Sequence, residues 1–307
     1  MEKLKFQDML TTAKGEKRAS VKLKALETLW FNTGTLCNLE CKNCYIESSP
    51  RNDRLSYLTV DDVKPYLEEI KNQDYPVKLI GLTGGEPFLN PSIIDLLRLI
   101  LSCGFEVLVL TNANRVIKRH QEKLIKLKQE YGKNLHLRVS LDHFSAKVHD
   151  HERGQGTFDL TLKELKWLYD EGFEISIAGR SLLDETPQIS LEGHRRLLEE
   201  HGINLDLKEK LVIFPEMQSG RDVPEITTAC WDILNVSPDN QMCATERMIV
   251  KRKGDDQPVI MPCTLLAYDQ KFSLGKTLQN SEQEVFLNHR FCAEFCVLGG
   301  ASCSGTK

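Results

Sequence analysis

The chain has 307 residues, with 40 Lys and Arg against 44 Asp and Glu and a formal charge of −4, a balance that argues against a nucleic-acid-binding face. Charged residues make up 27% of the total yet form no block of one sign, so an ordinary solvated surface is expected. The length suffices for a full α/β core with a smaller module attached. The opening residues, Met1-Glu2-Lys3-Leu4-Lys5-Phe6, hold no apolar signal-peptide core. No window reaches the run of roughly eighteen apolar residues that a spanning helix needs, so no membrane partner is expected. Ten cysteines in such a chain are expected to be reduced, cytoplasmic and mostly metal ligands.

Residues 1–28, rich in Lys and Glu with weak helical periodicity, are expected to form a leader helix or arm. Leu29-Trp30-Phe31 reads as a short buried strand ending at Asn32-Thr33-Gly34. The loop that leaves it, Cys37-Asn38-Leu39-Glu40-Cys41-Lys42-Asn43-Cys44-Tyr45, carries three thiols at x3 and x2 spacing. Thiolates at this density demand a soft metal. Structural zinc wants four closed ligands, usually as two separated pairs. Three thiolates suit a [4Fe–4S] cube better, because they hold three irons and leave the fourth open. After a polar loop, Thr59 and Asp62 read as the N-cap and N3 residues of a helix with Val63, Leu67 and Ile70 on one face.

A second strand, 77–82, runs into Thr83-Gly84-Gly85-Glu86-Pro87. Two glycines let backbone approach a ligand closely, and carbonyls with a carboxylate suit a cation. The same segment also reads as a plain turn before a helix that Pro91 opens. That helix, 91–102, stops at Gly104; a third strand, 106–110, ends at Thr111-Asn112-Ala113, and a Lys-rich helix follows over 115–130. The fourth strand, 135–142, alternates and ends on Ser140-Leu141-Asp142, which alone reads as a polar strand end. The next stretch, His149-Asp150-His151-Glu152-Arg153-Gly154, reads as a loop whose claim to a metal is weaker than that of the thiols. A helix over 157–170 leads to a fifth strand, 173–180. Its last residue, Arg180, offers a guanidinium that can grip a carboxylate or serve as a surface ion-pair partner. A helix over 191–201 and a sixth strand over 211–214 close the series. Repeated strand–helix alternation implies parallel strands with right-handed crossovers.

Beyond Pro215 the periodicity changes. Residues 248–250 and 258–261 flank Lys253-Gly254-Asp255-Asp256, a hairpin signal bracketed by Cys243 and Cys263. A short helix is expected after Gly275, and Cys292, Cys296 and Cys303 follow it. A cube takes at most four protein ligands, and a zinc site built from the same residues is the alternative. Cys103, beside Gly104, and Cys230, before Trp231, read as packed apolar residues, although a thiol at Cys230 could donate a hydrogen atom.

The thiol loop resembles the C-x3-C-x2-C signature of the radical S-adenosylmethionine (SAM) superfamily, with Tyr45 after the third Cys rather than an aromatic before it. Gly84-Gly85-Glu86-Pro87 is similar to that family's second motif, at the end of the next strand. Thr111-Asn112-Ala113 stands where the family usually shows Thr-Asn-Gly. The resemblance implies a partial (β/α)6 barrel over 29–215, with SAM contacts at strand C-terminal ends: Gly84, Gly85, Glu86, Pro87, Asn112, Ser140, Asp142 and Arg180. It implies that Cys37, Cys41 and Cys44 hold a [4Fe–4S] cluster whose open iron is chelated by SAM. One electron, from an external flavodoxin- or ferredoxin-like reductant, would then split the sulfonium into a 5′-deoxyadenosyl radical that takes hydrogen from substrate.

Residues 216–307 resemble the auxiliary-cluster extension known as SPASM, or its shorter form, twitch. The full pattern supplies seven cysteines for two clusters, so the set here implies one auxiliary [4Fe–4S] cluster. Cys243, Cys263, Cys296 and Cys303 are its expected ligands, with Cys292 the alternate. Many relatives with this extension modify a peptide or a protein side chain; dehydrogenation of a small molecule is the alternative. An iron–sulfur electron carrier or a zinc-stabilised binding protein, with no SAM site, is the competing reading from another class.

Overall fold

A computed structural model describes residues 4–181, 185–217 and 220–305. In chain order its elements are β1 (Ser20–Val21), β2 (Thr28–Asn32), α1 (Val60–Asn72), β3 (Leu79–Thr83), α2 (Ile93–Ser102), β4 (Glu106–Thr111), α3 (Gln121–Tyr131) and β5 (Leu135–Ser140). Then come α4 (Ala146–Arg153), α5 (Thr157–Asp170), β6 (Glu174–Ser181), α6 (Pro187–Glu200), α7 (Leu207–Lys210) and β7 (Leu211–Pro215). The last are α8 (Cys230–Leu234), β8 (Glu246–Val250), β9 (Val259–Met261) and β10 (Val285–Phe286).

Eight strands form one sheet in the order β7-β6-β5-β4-β3-β2-β8-β9, parallel at every pairing except β8–β9. Every residue of β2 is buried, as a parallel strand covered on both faces requires. The six strands expected over 29–215 all form and pair in sequence order. The hairpin after Cys243 is present, but its first strand also pairs in parallel with β2, so the hairpin extends the main sheet. In β5 the apolar residues Leu135, Leu137 and Val139 alternate with His136, Arg138 and Ser140, so one face of that strand is polar.

Three expectations need correction. Residues 4–27 contain no helix. They turn at Gly15, bridge Thr11 to Lys17 and pair β1 with β10. The arm is fixed instead by a buried ion pair, Arg18 Nη2 to Glu225 Oε1 at 2.6 Å. The stretch read as a loop at 149–154 lies mostly within α4, which buries only His149 and so shows no apolar stripe. Cys103 is exposed, at the C-cap of α2, and is not a packed core residue. Among the described residues no helix is long and apolar enough to cross a membrane.

Candidate active site

The site begins where β2 and β3 end side by side. Thr33 donates from both N and Oγ1 to Thr83 O, Gly85 N donates to Gly34 O at 2.8 Å, and Glu86 N donates to Leu36 O at 3.1 Å. These bonds press the Gly84-Gly85 turn against the start of the thiol loop. A Cβ on Gly85 would stand 2.1 Å from Leu36 O, and one on Gly84, at φ +136°, 2.4 Å from Gly34 O. The glycines are therefore required by the chain's own backbone, whatever ligand they also admit.

Each of the three loop thiols faces an N–H group. Cys37 Sγ accepts from Leu39 N at 3.4 Å and Asn112 Nδ2 at 3.7 Å; Cys44 Sγ accepts from Ser48 N at 3.4 Å; Arg153 Nη1 stands 4.0 Å from Cys41 Sγ. Such donors compensate thiolate charge. Without a metal, burial above all, with help from the Glu86 carboxylate, pushes the Cys37 thiol up to about 12. Burial also raises Cys41, against the pull of Arg153. A metal binding here displaces protons as it binds.

The thiols form one wall of a cavity of about 150 Å³. Of the residues expected at a SAM site, Gly84, Gly85, Asn112, Ser140, Asp142 and Arg180 line it. Glu86 and Pro87 do not line it. The Glu86 carboxylate turns inward: Oε1 accepts from Phe88 N and Thr111 Oγ1, and Oε2 accepts from Asn112 N at 2.8 Å. It ties the end of β3 to the end of β4, and burial pushes its carboxyl up to about 7.

The end of α4 grips the loop from the opposite side. Glu152 O accepts from Lys42 N, and Glu152 Oε2 accepts from Asn43 Nδ2 at 2.8 Å. Arg153 Nη2 donates to Asp142 Oδ1 at 2.8 Å, and Arg180 Nε lies 3.6 Å from the same oxygen. Burial alone would push the Asp142 carboxyl up, but the two guanidiniums outweigh it and leave it below the usual carboxylate range. Asp142 is 3% exposed, yet its Oδ2 has no hydrogen-bond partner, and neither has Arg153 Nε. Buried polar atoms left unpaired in a cavity wall point to a polar ligand. Thiols with N–H donors, together with an ion-paired cluster that keeps unpaired polar atoms, fit an iron–sulfur cluster with a zwitterionic ligand beside it.

Sequence reasoning missed Arg138, Phe214, Met217 and Phe295, which also line the cavity. Arg138 carried a signal: it is a charged residue inside an alternating strand, where an inward position must find partners. The aromatic wall carried none, since Phe214 and Phe295 meet only in the folded chain, with ring centroids 5.5 Å apart.

The C-terminal thiols divide. Cys243, Cys263, Cys292 and Cys296 line a second, small cavity of about 20 Å³, whereas Cys303 lies on the wall of the first. Cys292 and Cys296 fall on a π-helical turn, Cys292–Val297, whose extra residue per turn sets the spacing of the pair. Among the described residues no three His, Cys, Asp or Glu side chains gather closely enough to hold a single metal ion. A cube spreads its ligands over separate corners and needs no such convergence.

A family model described as Radical SAM superfamily matches residues 31–189. The antilisterial bacteriocin subtilosin biosynthesis protein AlbA of Bacillus subtilis (strain 168) is 34% identical over 143 residues, 46% of this chain and 30% of that protein. AdoMet-dependent heme synthase of Methanosarcina barkeri is 30% identical over 142 residues, 46% of this chain and 38% of that one. The match thus spans about a third of each of these curated relatives. Among solved structures, Streptococcus suis SuiB bound to precursor peptide SuiA shares the fold over 80% of this chain and 61% of that one, with a TM-score of 0.58 at 16% identity.

Proposed function

The chain belongs to the radical SAM superfamily, and from that premise we propose that it is an enzyme that cleaves SAM reductively and modifies a peptide or protein side chain. Cys37, Cys41 and Cys44 would hold the [4Fe–4S] cluster, and the cavity beside them would hold SAM. When bound, the two together supply a 5′-deoxyadenosyl radical that removes hydrogen from substrate.

The chain's own part is to hold and to exclude. Leu39 N, Asn112 Nδ2, Ser48 N and Arg153 Nη1 steady the three sulfurs. Asp142, Arg153 and Arg180 offer paired charges to the amino-acid end of a zwitterion, while Ser140 and Asn112 offer hydrogen bonds to a nucleoside. Phe214, Met217 and Phe295 keep water from the far wall. We read the parallel sheet as a partial (β/α)6 barrel and the C-terminal region as a twitch-like module, in which Cys243, Cys263, Cys292 and Cys296 hold an auxiliary [4Fe–4S] cluster. A cytoplasmic setting and a flavodoxin- or ferredoxin-like electron donor suit such chemistry.

The observation that carries this reading is the cavity itself, lined by three donor-backed thiols and by Asp142, whose Oδ2 has no hydrogen-bond partner. The peptide class draws on AlbA, named for bacteriocin biosynthesis, and on SuiB, seen with its precursor peptide. A small-molecule substrate is the second reading, supported by the heme synthase relative. The test is anaerobic reconstitution with iron and sulfide, followed by dithionite and SAM. 5′-Deoxyadenosine should accumulate with the wild-type protein and not with the Cys37→Ala/Cys41→Ala/Cys44→Ala variant; equal amounts from both would refute the reading.

A further inference from the structure

We propose that Cys303 is a hydrogen-atom donor to carbon radicals in the SAM cavity, and not a ligand of the auxiliary cluster; the inference rests on the radical SAM reading above. The C-terminal segment is built into the sheet rather than left on its surface. Arg138 of β5 donates from Nη1 to Cys303 O at 2.6 Å and from Nη2 to Ser304 O at 3.3 Å. Glu246 of β8 accepts at Oε1 from Ser302 Oγ at 3.0 Å and Ser304 Oγ at 2.6 Å. Its Oε2 accepts from Trp30 Nε1 of β2 at 2.6 Å. Groups from β5 and β8 thus hold residues 302–304, with Trp30 of β2 bracing Glu246, and every one of those partners is buried. A buried polar network of this extent fixes one conformation, and here it fixes where the thiol lies.

That thiol lines the same cavity as Cys37, Cys41 and Cys44. Thr264 Oγ1 donates to its sulfur at 3.1 Å, which leaves the S–H free to point elsewhere. Cys243, Cys263, Cys292 and Cys296 share the second cavity, enough to fill the protein ligands of one cube without Cys303. Cys303 still lies close enough to that group for its charge to be felt at Cys263 and Cys296. Independently, Asp142, which also lines the first cavity, keeps a buried Oδ2 without a partner, as a wall built for a polar ligand would. Cys230, the other thiol considered as a hydrogen source, does not line it; its sulfur accepts a hydrogen bond from Thr227 N and shares another with Thr227 Oγ1.

The chemistry balances. The Cys303 S–H bond breaks and a C–H bond forms on the carbon radical, because an S–H bond is weaker than the C–H bond made. The sulfur radical left behind returns to the thiol by taking one electron from the low-potential reductant that drives the reaction and one proton from solvent. Hydroxyl and amide hydrogens of Ser140 and Asn112 are held too strongly to compete. The phenol of Tyr45, which also lines the cavity, is the rival donor.

The experiment needs no substrate. Reconstituted protein is given SAM and dithionite in D2O, and the deuterium carried by the 5′-deoxyadenosine is read by mass, per molecule formed. The wild type should yield singly deuterated product, and the fraction should fall several-fold in Cys303→Ser and Cys303→Ala but not in Tyr45→Phe. Iron should stay at about eight per chain in both Cys303 variants and drop by about four in Cys292→Ser. An unchanged deuterium fraction, a fall only in Tyr45→Phe, or the loss of about four irons on changing Cys303 would each overturn the proposal. A wild-type protein that makes no 5′-deoxyadenosine would instead refute the underlying activity, and the inference with it.

Discussion

At the scale of single residues, the site is a set of buried charges whose costs are met by neighbours placed from far along the chain. His149 is an exception. It is fully buried in α4, and neither ring nitrogen has a hydrogen-bond partner. Burial, aided by the nearby Arg153 charge, lowers its pKa from 6.5 to about 4. The folded protein therefore favours the neutral ring. Its contribution to stability is complete above about 6.5 and is lost as the pH falls towards about 4. Between pH 7 and 5 this residue should cost about 2 kcal/mol. His149→Leu should lose correspondingly less stability than wild type over that interval, as read from urea midpoints; equal losses would show that the ring is not kept neutral. What was legible in the sequence at this scale was chemistry tied to spacing. Cys37, Cys41, Cys44, Gly84 and Gly85 lie on two short loops, and those loops are brought together by adjacent strand ends. Phe214 and Phe295 were not legible as cavity residues, because they are far apart in the chain and meet only in the folded molecule. Ala113 adopts a left-handed φ of +47°, which costs an L-residue about 1 kcal/mol.

At the scale of elements, local signals predicted most of what formed. Thr59 and Asp62 make a reciprocal capping box at the start of α1: the Thr59 hydroxyl accepts from Asp62 N and the Asp62 carboxylate accepts from Thr59 N. Thr59→Ala should destabilise the protein by about 1 kcal/mol in urea unfolding, without affecting iron content. The helix α4 escaped the sequence reading because its surface is charged almost all round; Asp150 closes it against α5 by accepting from Gly156 N and Phe158 N. The amino-terminal arm escaped for another reason. Its order comes from long-range contacts, with Glu225 accepting from Phe6 N, Ala13 N and Arg18 Nη2. Glu225→Gln would leave the fully buried Arg18 guanidinium without its counter-charge, an expected loss of about 3 kcal/mol. Proteolysis between residues 4 and 27 should become faster at the same time. A variant as stable and as resistant as wild type would mean the arm is held by something else.

At the scale of the whole molecule, strand alternation announced a parallel sheet and its order, because each strand–helix unit packs beside the last. It did not announce that β8 would continue the sheet beyond β2, since nothing in a hairpin's sequence names its third partner. That continuation carries Glu246 to where residues 302–304 can reach it, and so joins the C-terminal region to the wall of the cavity. The thiol loop lies at the ends of β2 and β3, with Asn112 after β4, Asp142 after β5 and Arg180 on β6, so five successive strands converge on one spot. All of this has meaning for function only if Cys37, Cys41 and Cys44 hold a metal and the ligand that fills the spot meets it. Electron paramagnetic resonance of the anaerobic, reduced protein measures that directly. The signal of the reduced cluster should change in g-values when SAM is added, and should be absent from the Cys37→Ala/Cys41→Ala/Cys44→Ala variant; a spectrum identical with and without SAM would contradict the account.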